Sequence, residues 1–188
     1  MGMKLSNKEE IIAPAEAVWD VIGRRFDKIG EWATAVPASA AISGSLTVDE
    51  APVAGRICQT GIRVAPSVTE AIVAYDDSTR SLTYEAVEKP GFLSVARNRW
   101  TVTPVDQRRS TVSYDAVLTT RGVFGRLAGW WMLILLRHAG RQLLADLAHY
   151  VEHGVPSPRK QAQLDRATRR GRRPTVRAGL TTTGRTDH

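Results

Sequence analysis

The sequence predicts an α+β fold: a curved antiparallel sheet of about six to seven strands wrapped around one long C-terminal helix, with two short helices after the first strand. Three observations predict it. Apolar and polar residues alternate in four segments between 67 and 120, joined by short polar connections, the pattern of half-buried strands linked as hairpins. A helical pattern starts near Phe124 and runs to about Glu152. A Pro-led helical segment lies between the first strand and the others. One helix laid across a concave sheet tends to enclose a hollow, so a small-molecule pocket is the first functional expectation.

The elements follow in order. Residues 3–12 alternate weakly and read as a strand. Pro14 opens a helix at the first-turn position, where a missing N–H is tolerated. Val18, Trp19, Val21 and Ile22 form its apolar stripe and Gly23 its stop. A second short helix covers 27–32 before Pro37 forces the chain out. Residues 39–62 add two shorter strands. The strand over 67–75 puts Val68, Glu70, Ile72 and Ala74 on one face. Asp76, Asp77, Ser78 and Thr79 then make a turn, since their short side chains bond back to the local backbone. The strand over 80–88 groups Leu82, Tyr84 and Ala86. The next, over 93–105, sets Ala96, Asn98, Trp100 and Val102 against Arg97, Arg99, Thr101 and Thr103, and the last, over 110–120, aligns Val112, Tyr114, Ala116 and Leu118.

The long helix carries two patterns. Its second half is amphipathic, with Ala139, Leu143, Leu144, Leu147 and Val151 facing one way and Arg137, Arg141, Asp146 and Glu152 another. Its first half, LAGWWMLILL over 127–136, is apolar all round. That run is too short to span a bilayer, which takes about 20 residues. It reads as a helix buried on both sides or covered by a second copy of the chain; the sharper alternative has one face on a cavity and the other on a membrane or a second subunit. After Val155 the chain is Arg, Thr and Gly with Pro156 and Pro158 stopping the helix. Such a segment buries too little to offset its ordering entropy. The sequence therefore predicts a domain over 1–154 and a disordered basic tail over 155–188.

The formal charge of +7 in 188 residues belongs to that tail, where nine Lys and Arg meet only Asp165 and Asp187. The rest balances at 17 basic and 17 acidic residues. A basic tail can touch an anionic membrane surface, but it has no aromatic residue to stack on a base, so no specific nucleic-acid partner is expected. Cys58 is the only cysteine, which excludes an intrachain disulfide and reads as a small buried residue. The N-terminus has no signal-peptide apolar core, Met-Gly-x-x-x-Ser being too short a pattern to imply acylation, and the localisation expected is cytoplasmic. Arg outnumbers Lys 21 to 5, which fits a GC-rich bacterial genome.

The chemistry-bearing motifs are sparse. His149-Tyr150-Val151-Glu152-His153 matches His-x-x-Glu-His but is followed by no element to bring a third ligand, so no metal is expected. Phosphate loops and nucleophile elbows are missing, and no cofactor is implied. More telling are polar residues on faces that otherwise read as buried: Glu70 beside Val68 and Ile72, Asn98 beside Trp100, and Tyr84 and Tyr114 among aliphatic neighbours. Buried and unpaired, each would cost several kcal/mol. Around a hollow they can orient a ligand; the alternative for Glu70 is an arginine partner across the sheet.

On these residues the chain resembles the SRPBCC or START-like superfamily with its helix-grip fold, and within it the polyketide cyclase/dehydrase and lipid-transport family. The resembling stretches are Ile12-Ala13-Pro14-Ala15-Glu16-Ala17-Val18-Trp19, Val68-Thr69-Glu70, Tyr75-Asp76-Asp77 with Arg80-Ser81-Leu82-Thr83-Tyr84, Arg99-Trp100-Thr101-Val102-Thr103-Pro104-Val105, and Leu143-Leu144-Ala145-Asp146-Leu147 before Tyr150-Val151-Glu152. They cover about 3–154. The resemblance implies a hydrophobic cavity between sheet and final helix. Members bind lipids, sterols, aromatic polyketides or hormones, and some are aromatase/cyclases that use tyrosine, arginine or asparagine for proton transfer. Members usually place Trp close before Pro after the second helix; here Ala33–Val36 separates Trp32 from Pro37, so that rim has its own shape.

The expectation is a protein that binds a hydrophobic or aromatic small molecule. Ile72, Tyr84, Trp100 and Tyr114 would be walls, Glu70 and Asn98 orienting groups, and Trp131 and Leu135 the lid. The rival is a polyketide cyclase, aromatase or dehydratase with Glu70, Tyr114 and Asn98 as candidate acid/base residues. Arg97 and Arg99 share the opposite parity from Trp100, which weakens that rival. A third reading is peripheral membrane lipid exchange through the tail.

Overall fold

The structure is a computed structural model that describes residues 2–62, 65–87, 93–120 and 122–171, with backbone alone at 62, 65, 93–94, 120, 122–136 and 170–171. Strand β1 (Gly2–Ile11) leads through Pro14 into α1 (Ala15–Trp19), which continues as a π-turn over Asp20–Arg24. A 3-10 turn at Phe26–Lys28 enters α2 (Ile29–Trp32). Strands β2 (Ser39–Ala41), β3 (Gly55–Ile62), β4 (Ala65–Asp76), β5 (Ser81–Ala86), β6 (Leu93–Pro104) and β7 (Ser110–Thr120) follow, then α3 (Gly122–His153) and α4 (Pro158–Gly171).

The seven strands form one antiparallel sheet in the order β1-β7-β6-β5-β4-β3-β2. β1 and β2 are therefore opposite edges, and the α1–α2 segment between them must cross the sheet from one edge to the other. Pins hold the crossing at both ends. Asp77, in the β4–β5 turn, accepts from Trp19 Nε1 at 2.7 Å, Tyr75 OH at 3.0 Å and Arg24 Nη2 at 2.9 Å. At the other end Ser39 Oγ accepts from Gly30 N at 2.8 Å.

The alternation read from β5, β6 and β7 holds: Leu82, Tyr84, Trp100, Val102, Val112 and Ala116 are buried while Arg97 and Arg99 point outward. In β4 it breaks. A bulge between Ile72 and Ala74 leaves Val73 41 % exposed, so Ile72 and Tyr75 are buried and Ala74 leaves the face expected of it. An extra residue on one strand of a pair reverses the parity beyond it.

The concave face is not filled evenly. At the Ile11, Val102 and Val112 end, those residues pack with Val18, Trp19, Leu82, Leu144 and Leu147 into a solid core. Toward the other end of the same strands, Leu5, Ala96, Ala116 and Leu118 face Ala139, Gly140 and Leu143 of α3 around a hollow. Gly140 permits α3 to come close to β1 here, since a Cβ would lie 2.5 Å from Asn7 Nδ2. Gly154, at φ 70°, ends α3 with its N–H on Tyr150 O, the left-handed C-terminal turn that favours glycine.

Two expectations about the C-terminal part are corrected. Asp146 is buried, because its carboxylate accepts from Thr34 N and Ser157 Oγ, each at 2.8 Å. Residues 158–171 are helical, not disordered. Ser157-Pro158 starts a helix as well as stopping one: Ser157 Oγ accepts from Lys160 N at 3.4 Å, and proline suits the first helical position. Polar anchors, described below, hold this segment where apolar burial is lacking. Residues 172–188 lie outside the described residues.

Candidate functional site

The hollow measures about 340 Å³. Its walls come from β1, β3, β4, β5, β6, β7 and α3, with Ile29, Ala35 and Val36 closing the side between α2 and β2. Most of the lining is apolar; Gln59 and Thr60 of β3 also line it, and the remaining polar side chains, Arg56, Cys58, Glu70, Tyr84, Asn98 and Tyr114, lie close together.

That cluster is built on Arg56, which enters from β3 and is almost wholly buried. Its Nε donates to Glu70 Oε2 at 2.7 Å and its Nη1 to Phe26 O at 2.9 Å. The guanidinium carbon lies 3.9 Å from the centre of the Phe26 ring and 5.1 Å from that of Tyr84. Burial disfavours the Arg56 charge, but the Glu70 carboxylate and neighbouring groups outweigh it and hold the guanidinium above its usual range. Register explains the pair: Arg56 on β3 lies directly opposite Glu70 on β4, where opposite charges attract across strands. Cys58, two residues on, shares the face; burial pushes its thiol up to about 11, so it is no thiolate nucleophile at neutral pH.

A second polar group continues the cluster across the sheet. Tyr84 and Tyr114 line the same wall, and Tyr114 OH donates to Asn98 Oδ1 at 3.0 Å. Pairing in register brings them together, Tyr84 opposite Asn98 and Tyr114 opposite Trp100. Burial drives both phenols up, Tyr84 well above the ordinary tyrosine value and Tyr114 to about 12. Both stay protonated at neutral pH and cannot act as phenolate bases; donation from Tyr114 to a ligand oxygen would replace its bond to Asn98 Oδ1.

Of the residues singled out from the sequence, Glu70, Tyr84, Asn98 and Tyr114 line this one cavity. Ile72 (3 % exposed) and Trp100 (1 %) belong instead to the packed core beneath it, Trp100 tilted against Tyr114 with ring centres 4.7 Å apart. The side chains of Trp131 and Leu135 lie outside the described residues. Glu70 has the cross-sheet arginine partner and faces the cavity as well. Arg97 and Arg99 point away, Arg97 to Glu85 and Arg99 to Ser81. Sequence reasoning missed Arg56, and the signal was present: a residue two before a buried Cys58 on a strand shares its face. His149 and His153 stack with ring centres 4.4 Å apart, and among the described residues no three His, Cys, Asp or Glu side chains converge as a metal site.

A curved antiparallel sheet gripping a long helix, with a half-filled interior, is the helix-grip, ligand-binding architecture. The chain belongs to the polyketide cyclase / dehydrase and lipid transport family, whose model matches residues 3–152. Solved structures agree on the fold. The Zhui aromatase/cyclase from Streptomyces sp. R1128 superposes with a TM-score of 0.65 at 14% identity, over 81% of this chain and 94% of that one. A START superfamily protein from Mycobacterium smegmatis gives 0.56 at 13% identity, over 79% and 97%. A protein from Thermobifida fusca, solved by NMR, gives 0.59 at 25% identity, over 79% and 92%. No functionally curated protein matches the sequence.

Proposed function

We propose that the protein binds a hydrophobic or aromatic small molecule in the hollow between the sheet and α3. One observation carries this reading: a mostly apolar cavity of about 340 Å³ in which Arg56, Glu70, Tyr84, Asn98 and Tyr114 lie close together. An occupant with an apolar body and an oxygen-bearing end would place that end at Tyr84, Tyr114 and Asn98. Family membership supports it, since the family's description includes lipid transport. The test is binding of a fluorescent hydrophobic probe to the wild type and to Ala116→Phe, which puts a ring into the void. Wild-type binding that the variant loses is expected. Equal binding by both, or by neither, would sink the reading.

A second reading, catalysis on the same occupant, is favoured by Arg56. An arginine, a carboxylate, two neutral phenols and an amide meet in one pocket, which suits polarising a ketone oxygen during a cyclisation or dehydration. Here Tyr114 or Tyr84 would donate to the oxygen that gains charge. Glu70→Gln and Tyr114→Phe, each confirmed as folded by circular dichroism, should slow turnover of a poly-ketone substrate about a hundredfold if the group acts in proton transfer. Unchanged rates in both would leave binding alone.

A further inference from the structure

We propose that α4 is a clasp on the cavity wall: Lys160 and Gln163, with Ser157 acting through Asp146, hold segment 33–37 closed, and releasing them opens a path for the occupant. The inference rests on the cavity reading above, because only then is there something to admit.

Segment 33–37 joins α2 to the approach of β2, and its Ala35 and Val36 form part of the cavity wall. It has little regular structure of its own; Val36 N donates to Ala33 O at 3.2 Å in a single turn. What fixes it comes from the C-terminal helices. Lys160 is fully buried (0 % exposed), and its Nζ donates to Val36 O at 2.7 Å, Pro37 O at 3.4 Å and Gln163 Oε1 at 3.0 Å. Gln163 Nε2 in turn donates to Thr34 O at 3.3 Å. Asp146 of α3 then joins the two sides, accepting from Thr34 N with one oxygen and Ser157 Oγ with the other.

An ammonium withdrawn from water costs heavily unless its donors are satisfied, and here all three find oxygen. Those oxygens are two carbonyls of the wall and one amide, so the lysine is satisfied only while the wall stays put. The clasp is also balanced against opening. Trp32 Nε1 and Thr34 Oγ1, at the base of the same segment, are buried without a partner in the closed arrangement. Exposure to water would relieve both, offsetting part of what opening loses. The clasp residues Ser157, Lys160 and Gln163 lie beyond residue 152, where the family match ends.

Lys160→Met keeps the length of the stem and removes the charge and its donors; Gln163→Leu removes the neutral amide of the second anchor. In the full chain, amide hydrogen exchange over 33–37 and stopped-flow release of 1-anilinonaphthalene-8-sulfonate should each accelerate about tenfold or more in Lys160→Met, given the strength of hydrogen bonds to a charged group. Gln163→Leu should give a smaller rise in both. Unchanged exchange over 33–37 in both variants would overturn the clasp. Faster exchange with unchanged probe release would overturn its gating role. A wild type that binds no probe would defeat the cavity reading, while the exchange data would still decide whether the segment is clasped.

Discussion

Arg56 and Glu70 show how one residue can be both a structural problem and a functional asset. Side-chain exposures of 4 % and 16 % make this a largely buried pair. Such a pair returns roughly what its desolvation costs, but breaking it strands a charge and costs about 3–5 kcal/mol. Glu70→Leu should therefore destabilise the protein by about that much, whereas the double variant Arg56→Met/Glu70→Leu should recover most of the loss. Chemical denaturation of both single variants and the double one checks it; simple additivity would mean that the pair does not interact as described. The two phenols obey the same logic. Their burial keeps them neutral, which is what a donor to a ligand oxygen requires.

Among the elements, the α1 crossing depends on a point anchor as much as on apolar packing. Asp77 collects hydrogen bonds from α1 and the π-turn as well as from Tyr75, and the Arg24 guanidinium foremost, with Trp19 next, holds its carboxyl well below the usual 3.8. A carboxylate depressed by folding adds stability that is full above its unfolded value and disappears as pH falls through the folded one. Asp77→Asn should thus be less stable than wild type at neutral pH, with the difference shrinking progressively below pH 3.8. Thermal melts of both across that acid range would reveal a constant difference if the anchor were not ionic. The bulge at Val73 works at this scale too: it turns Tyr75 inward, where its ring stacks on Trp19 at 5.4 Å, and so lets β4 serve the cavity and the α1 anchor with one strand.

Viewed whole, the molecule is solid at one end and hollow at the other, with α4 fastened beside the hollow. α4 carries exposed Arg159, Arg166 and Arg169, Arg159 donating to Gln142 Oε1 of α3 at 3.3 Å and none of the three in an ion pair among the described residues. Among those residues no helix is long and apolar enough to cross a membrane. Contact with an anionic surface through this end is the remaining proposal for a partner, at about 1 kcal/mol for each arginine near the surface. Sedimentation with phosphatidylserine vesicles should show binding that falls with added salt and weakens in the triple variant Arg159→Gln/Arg166→Gln/Arg169→Gln. Binding indifferent to both salt and substitution would dismiss it.

How much of this could be read from the chain follows from the range of each interaction. The strands, the face each side chain takes on β5, β6 and β7, the Pro14 helix start and the long closing helix are all carried by periodicities over neighbouring residues, and they appear in the structure as expected. So do Tyr84, Asn98 and Tyr114 on one surface, because parity is local and the hairpins are short. Ile72 and Trp100 have the correct parity yet lie in the packed half. Where layers mesh and where they part depends on the distance between sheet and helix, which no single segment encodes. Arg56 inside, Val73 out of step, Asp146 buried and Lys160 seated on the backbone of segment 33–37 are of this second kind. Arg56, Asp146 and Lys160 are each held by partners far away in sequence, which only the closed three-dimensional arrangement supplies, while the bulge at Val73 is set by how β4 meets β5.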